Sequence, residues 1–335
     1  MQPGAERQQA GQRPSGAHGA ARGRKGRAIG QQAADLRDAF KWRSPQSATS
    51  AIIAPMKLAT YKDGSRDGQL VVVSSDLTTA HHASAIASRL QQVLDDWSFL
   101  SPQLQDLART LDEGRARHAF PFDPRMCMAP LPRACRAVEV QLGDESGGDE
   151  AQAWQPLPGD GLLGACDEVT LAGPAATLAV APRWIVMSGE LPVGASPEQA
   201  LGSVRLVGAG LQWQQQDEAC PRPWLSLAPV LMTPDALQAG ERGEGRSRLA
   251  LSLTPSLAPE GLPPAGAPVQ PSPPIGPLLA RLARARGVRA GTLLALGPAA
   301  QPLGEVERVV LAPLALRGQM PLGTLDVGLR RLRRD

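Results

Sequence analysis

The first clear alternation of hydrophobic and polar residues in this chain lies just after residue 55. The segment Lys57–Tyr61 alternates as a strand does, and Gln69–Val73 is an apolar run of strand length. Between them, residues 62–68 contain two Asp-Gly pairs, which favour a tight turn. The pattern therefore predicts a β-hairpin over residues 57–73.

Two helices are predicted to follow the hairpin. Apolar residues recur at helical spacing over about 83–96 and again over about 102–112. Ser101 and Pro102 precede the second run, and these residue types favour the N-cap and the first turn of a helix. A proline-punctuated linker over 117–135 then leads into the second part of the chain.

The second part is predicted to be rich in short strands. A helix over about 276–286 is expected near its end, and the nine prolines of 254–277 exclude a regular central strand there. The candidate strands are 167–172, 176–181, 184–187, 204–207, 226–231, 247–253, 292–296 and 306–311.

The first 55 residues have a different composition from the rest. They carry nine Lys and Arg residues against three acids, a balance of +6, so the remaining residues sum to −3 within a total of +3. Residues 1–55 are interpreted as a disordered basic extension upstream of a true start at Met56, because they lack apolar residues to bury. A targeting peptide and an RNA-binding arm built on the basic run 22–27 are the alternatives.

Composition excludes several classes of protein. No apolar stretch is long enough to span a membrane, and the balance of the main part gives no indication of nucleic-acid binding. The four cysteines form no Cys-x-x-Cys pair, so neither a zinc ribbon nor a redox motif is indicated. Reduced thiols in a cytoplasmic protein are the expectation.

Several strings along the chain are characteristic of one family. They are dense over 56–134, and further strings occur at 189–201, 233–237 and 288–293. The dense strings are 56–74, 90–97, 99–105, 116–124 and 128–134. Together they resemble the fumarylacetoacetate hydrolase family, in particular its bacterial branch with a short N-terminal domain. The resemblance is strong over 56–134 and patchy over 135–335.

The resemblance implies a fold, a chemistry and an assembly. The implied fold class is α+β and β-rich: a small hairpin-plus-helices domain over 56–134, then a mixed β-sandwich roll over 135–335 that forms the catalytic-type domain. Family members cleave or rearrange acylpyruvates and related β-diketo acids, with Mg²⁺ or Mn²⁺ chelating two substrate oxygens. A histidine oriented by a carboxylate activates water, a lysine steadies the enolate, and homodimers are common.

The family's Glu-x-Glu motif is absent at its matching position. Two carboxylates two residues apart on a strand share a face and can converge on one cation. Counting without gaps from 164–169 and from 189–194 places Ala181 and Arg183 there. Alanine cannot ligate a metal, and arginine would repel it.

The other positions of the family's site are also changed. Gln212 stands at the next carboxylate position, Arg222 at the lysine position, and Gly297-Pro298 at the Gly-Thr position. Ser146 falls at the histidine position, in a stretch shorter than the family's.

Glu139 falls at the family's first aspartate. Two interpretations of it are open, a surviving metal ligand and a solvated surface acid.

These substitutions predict a catalytically impaired family member, a pseudoenzyme. A general base contributes about 10²–10⁴ in rate and a Lewis-acid cation adds several kcal/mol, and one arginine cannot replace both. We expect no bound metal, and a role as a homodimer or as a subunit paired with an active paralogue. The alternative is an active metal-dependent hydrolase of small keto acids with a rebuilt site. A third possibility is that the second half packs poorly.

Overall fold

The computed structural model describes most of the chain after residue 55. The described residues are 56–142, 153–159, 161–171, 178–215, 223–234, 274–303, 308–311, 315–316 and 320–331. The predicted basic extension, the predicted strand 247–253 and most of the proline-rich stretch 254–277 lie outside them.

Eighteen strands and four α-helices are described. The helices are α1 (Leu90–Asp95), α2 (Trp97–Asp112), α3 (Pro197–Gly202) and α4 (Ile275–Ala283). The strands are β1 (Lys57–Tyr61), β2 (Gln69–Val73), β3 (Thr79–His82), β4 (Phe120–Pro121), β5 (Arg136–Gln141), β6 (Ala153–Pro156), β7 (Leu162–Leu163), β8 (Val169–Leu171), β9 (Leu178–Ser188), β10 (Val204–Gln215), β11 (Trp224–Leu227), β12 (Leu231–Met232), β13 (Thr292–Gly297), β14 (Gln301–Pro302), β15 (Arg308–Leu311), β16 (Ala315–Leu316), β17 (Met320–Pro321) and β18 (Leu325–Arg331).

The predicted hairpin is confirmed with both strands at their predicted bounds. β1 and β2 pair antiparallel, with Lys57 opposite Val73 and Tyr61 opposite Gln69. Its turn uses Gly64 and Gly68 at φ +81° and +61°, a region that favours glycine. The two Asp-Gly pairs therefore form the turn of the hairpin, as predicted.

One large mixed sheet organises the described part of the chain. Its strands lie in the order β4-β3-β2-β1-β12-β10-β9-β13-β5-β6, while β11 and β14 pair with β10 and β9, and β7 pairs with β11. The β13–β5 and β11–β7 pairs are parallel and the other pairs of this sheet are antiparallel. Two smaller sheets contain β15-β18-β8 and β16-β17. The predicted β-rich α+β class is confirmed.

Buried side chains cover both faces of this sheet. Alternate residues of a strand point to opposite faces, so Trp184 and Leu294 join one core cluster while Ile185 and Leu293 join the other. The second cluster also contains Leu58, Leu104 and Leu231, which belong to widely separated segments of the chain.

The first predicted helix is shorter than expected. Residues 83–89 form turns and bends, and α1 begins only at Leu90, because both ends of the segment 83–88 are hydrogen-bonded to Leu70 of β2. Ala83 N–H donates to the Leu70 carbonyl, and Leu70 N–H donates to that of Ser88. Tertiary hydrogen bonding overrides the helical pattern there.

The second predicted helix begins earlier than expected. α2 starts at Trp97 rather than near Ser101, and Pro102 lies inside it. The N–H groups of Phe99 and Leu100 donate to the Asp96 carbonyl, which starts the helix directly after α1. The Ser-Pro pair is therefore not the start of the helix.

The later elements agree with the predictions only in part. β10 runs to Gln215, well beyond the predicted 204–207, and β5, β6, α3 and β18 were not predicted. The candidates 176–181 and 184–187 form the single strand β9, and the candidate 226–231 is split between β11 and β12. The predicted C-terminal helix is α4, and the late strands are β13 and β15. None of the described helices has the length and apolar character needed to cross a bilayer.

Candidate functional site

Four neighbouring strands bring the candidate residues together at one end of the large sheet. Gln212 lies on β10, Arg183 on β9, Gly297 at the end of β13 and Glu139 on β5, and the strands lie side by side in that order. Gln212 is paired with Ala181, and Ala295 is paired with Glu139.

Strand periodicity places these side chains on one face. Glu139 is two residues from Ala137, and Arg183 is two residues from Ile185, both members of the second core cluster. Arg183 is only 1% exposed, Gln212 2% and Glu139 6%. The interpretation of Glu139 as a solvated surface acid is therefore wrong.

Glu139, Arg183 and Gln212 form a closed ring of hydrogen bonds. Arg183 Nη2 donates to Glu139 Oε1 at 2.6 Å, and Arg183 Nε donates to Gln212 Oε1 at 2.5 Å. Gln212 Nε2 closes the ring by donating to Glu139 Oε2. Each carboxylate oxygen of Glu139 thus accepts from one partner in the ring.

Two backbone carbonyls complete the surroundings of the guanidinium. Arg183 Nη1 donates to the Pro298 carbonyl and, at 3.4 Å, to the Pro182 carbonyl. Sequence reasoning placed Pro298 at a family site position, where it lacks a hydroxyl. It did not show that its backbone oxygen would bind a side chain from β9.

Gly297 allows Arg183 to reach Glu139. Strands are about 4.8 Å apart, so a side chain on β9 must extend across β13, roughly 10 Å in all, to meet one on β5. A Cβ on Gly297 would lie 2.7 Å from Arg183 Nη1 and would also overlap the Pro182 carbonyl oxygen. A glycine inside an apolar strand is the sequence signal of such a close approach.

Pro182 is accommodated inside β9. It lies between Trp184, the last residue of β9 paired with β13, and Val180, where the pairing with β14 occurs. Its pairing with Leu211 of β10 is retained in the register. A missing N–H is tolerated at such a gap, which explains why one long strand forms where the sequence predicted two short ones.

The charges of the ring balance inside the protein. Burial lowers the pKa of the Arg183 guanidinium, and the attraction and hydrogen bond of Glu139 oppose that shift. Arginine nevertheless stays charged, since its ordinary pKa lies far above neutrality. A carboxylate that is paired with a guanidinium in this way is a poor general base. Accepting a proton would neutralise the carboxylate and leave the buried guanidinium without its counter-charge.

This arrangement does not fit a divalent cation. Mg²⁺ and Mn²⁺ need several oxygen ligands with a negative total charge. Here residue 183, which the resemblance matches to the family's second acidic position, holds a positive guanidinium. Ala181 has no ligand atom, and both oxygens of Glu139 are already bonded. In the described ranges, no group of three or more His, Cys, Asp or Glu side chains could hold a metal ion.

Two of the predicted site positions cannot be placed. Arg222 and Ser146 lie outside the described residues. Their assignment to the family's lysine and histidine positions stays a prediction.

Comparison with known families gives one match. The family described as Fumarylacetoacetase N-terminal domain 2 matches residues 56–133. No curated protein matches the chain.

Solved structures match over most of the chain. Maleylpyruvate hydrolase from Sphingobium sp. SYK-6, in complex with manganese(II) and pyruvate, is 15% identical with a TM-score of 0.60, covering 83% of this chain and 100% of that one. A probable 2-hydroxyhepta-2,4-diene-1,7-dioate isomerase from Mycobacterium abscessus is 12% identical with a TM-score of 0.60, covering 83% and 99%. Fumarylacetoacetate hydrolase from Exiguobacterium antarcticum is 14% identical with a TM-score of 0.59, covering 83% and 100%. At such identity the likeness concerns the fold.

Proposed function

We propose that this chain is a member of the fumarylacetoacetate hydrolase family and that within it the protein is a pseudoenzyme, which does not cleave acylpyruvates by metal-dependent chemistry. The observation that carries the proposal is the buried ring of Glu139, Arg183 and Gln212. A positive side chain is built into the position where the resemblance expects acidic ligands.

A divalent ion could enter only by displacing Arg183. The guanidinium would have to leave a carboxylate, an amide oxygen and a backbone carbonyl, all in a buried site. Uncoupling one partner of a buried ion pair costs about 3–5 kcal/mol. The ion would gain one carboxylate in return, too little to compensate.

The proposed role is therefore that of a non-catalytic subunit. The protein would form a homodimer, or pair with an active paralogue, in the cytoplasm, and it would bind neither nucleic acid nor a membrane. The N-terminal segment matches a family model over residues 56–133. This match supports a role that depends on the fold rather than on a catalytic site.

The decisive measurement is calorimetric titration of Mn²⁺ and Mg²⁺ into the full chain, after a melt has shown that it unfolds cooperatively. We expect no saturable heat at millimolar metal, and acylpyruvate cleavage equal to the buffer blank. The matched comparison is the triple variant Ala181→Glu, Arg183→Glu and Gln212→Asp, which restores the acidic positions and should gain Mn²⁺ binding.

Saturable one-site binding to the unmodified chain, with keto-acid cleavage that a chelator abolishes, would contradict the proposal. It would show the alternative, an active hydrolase with a rebuilt site.

A further inference from the structure

Four oxygen atoms converge on one buried guanidinium in this protein. They are Glu139 Oε1, Gln212 Oε1 and the carbonyl oxygens of Pro182 and Pro298. They come from three strands and the residue after a fourth, so the pocket that they form is a product of the tertiary structure.

The groups that line this pocket need a bound cation, whether it is a side chain of the protein or an ion from solution. Glu139 is buried and negative, and Gln212 Nε2 already donates to its second carboxylate oxygen. If the guanidinium were removed, Glu139 Oε1, Gln212 Oε1 and the Pro298 carbonyl would lose their donor and the buried carboxylate would lose its counter-charge, which is strongly unfavourable inside a protein.

We infer that Glu139, Gln212 and the carbonyls of Pro182 and Pro298 form a binding site for a planar organic cation, and that its resident ligand is the chain's own Arg183. The inference rests on the proposed function, because it takes the position of the expected metal ion to be occupied by this guanidinium. The pocket selects guanidinium over an ammonium or a divalent ion, because each of the three guanidinium nitrogens meets its own acceptor. Gln212 accepts from Nε, Pro298 from Nη1 and Glu139 from Nη2.

We expect a small cation to reach the pocket past the two prolines whose carbonyls accept from Arg183. Pro182 and Pro298 are both partly exposed, although Arg183 beneath them is not. Truncating Arg183 to alanine would therefore leave a cavity of guanidinium shape, lined by acceptors and close to the surface.

The test is chemical rescue of the full chain carrying Arg183→Ala. We expect this variant to melt roughly 10 °C below the unmodified protein, because it leaves Glu139 buried without its cation. Guanidinium chloride at up to about 50 mM, far below denaturing concentrations, should raise the melting temperature saturably by several degrees. Sodium chloride at equal concentration should not, and methylammonium and Mn²⁺ should rescue less.

Two control variants make the rescue specific. Glu139→Gln combined with Arg183→Ala should abolish it, because the carboxylate is gone. Arg205→Ala should also show none, because Arg205 lies over the Trp97 ring and donates to the Gly202 carbonyl rather than to a carboxylate. A folded Arg183→Ala variant that guanidinium does not stabilise overturns the inference, as does equal rescue of Arg205→Ala.

A second comparison applies if Arg183→Ala does not fold. Arg183→Met should be much less stable than the double variant Glu139→Gln with Arg183→Met, because the double variant removes both charges. Equal stability of the two would overturn the inference. Metal binding by the unmodified chain would overturn the proposed function alone, because the rescue is read from stability and does not involve metal.

Discussion

Arg183 can hold its position only because the strand next to it presents no side chain there. The guanidinium crosses β13 over Gly297, and a Cβ at that residue would lie 2.7 Å from Arg183 Nη1. Real Cβ atoms do not approach a nitrogen so closely, so one of the two groups would have to move. At the scale of single residues, the site depends on a glycine as much as on its charges.

Gly297→Ala should therefore destabilise the protein by about 1–3 kcal/mol, the usual cost of overpacking a filled core. The measurement is the free energy of unfolding from denaturant titration. Gly202→Ala is the control, because a Cβ there meets nothing within 4 Å, and its effect should be close to zero. Equal stability of the two variants would show that Arg183 does not lie across β13.

Lys57 is a second buried charge, on β1, which β12 separates from β10 in the same sheet. Its side chain is in the core of the β1 region, where Nζ donates to the Ser75 carbonyl at 2.6 Å. Burial lowers the pKa of Lys57 to about 8, against the opposing attraction of Asp112 and Asp76. The folded protein therefore releases this proton more readily than the unfolded chain, whose lysine has its ordinary pKa of 10.5.

Stability should consequently rise with pH between about 8 and 10.5 through Lys57, by up to about 1.4 kcal/mol per pH unit. Burial raises the pKa of the Cys127 thiol, which has the opposite effect in the upper part of this range. The measurement is therefore the difference in unfolding free energy between the unmodified chain and Lys57→Met across this range. A difference independent of pH would contradict the assignment.

At the scale of elements, local pattern and tertiary hydrogen bonding compete. The β1–β2 hairpin was predictable because its turn glycines and its alternation are both local properties. The helix predicted over 83–96 was shortened because Leu70 of β2 binds both the Ala83 N–H and the Ser88 carbonyl. α2 starts earlier than the Ser-Pro signal because Asp96 of the preceding turn accepts its first N–H groups.

The long strand β9 shows the same competition in the other direction. The sequence predicted two short strands, 176–181 and 184–187, on either side of Pro182, yet β9 runs from Leu178 to Ser188. The pairing with β10 over its whole length holds the strand together, and the proline falls where β13 and β14 leave its other edge unpaired. Single-residue signals mark where a strand can break, and pairing decides whether it does.

At the scale of the whole molecule, residues 56–134 do not form a sheet of their own. β1 pairs with β12 as well as with β2, and Met56 and Thr233 exchange two hydrogen bonds beside this junction. The apolar face of the N-terminal segment shares one core cluster with strands from the second part. The division into domains at residue 134 stays a prediction from sequence.

A chain of residues 56–134 alone is therefore expected to fold poorly. It would expose the edge of β1 and the apolar face that β12 and the second part of the chain cover in the full protein. Circular dichroism should show a broad, non-cooperative melt for the fragment and a single cooperative transition for the full chain. A cooperative melt of the fragment would instead confirm an independently folding N-terminal domain.

The sequence by itself determined the β1–β2 hairpin, the resemblance to one family and the identity of the residues at the positions that this resemblance matches to the family's site. Turn glycines, strand alternation and the strings over 56–134 need only neighbouring residues to be read. The absence of acidic residues at 181, 183 and 212, the positions that the resemblance matches to the family's carboxylates, was also readable there, because it depends only on which residue occupies each position. The interpretation of Glu139 stayed open, because burial is not a property of one position.

Only the tertiary structure decided what replaced those ligands. Glu139, Arg183 and Gln212 are far apart in the chain, and the strand order β10-β9-β13-β5 alone brings them within hydrogen-bonding distance. Long-range strand pairing is set by packing over the whole sheet, which no local pattern encodes. The buried ring, with a guanidinium held among four oxygens, is therefore a property of the fold rather than of any segment.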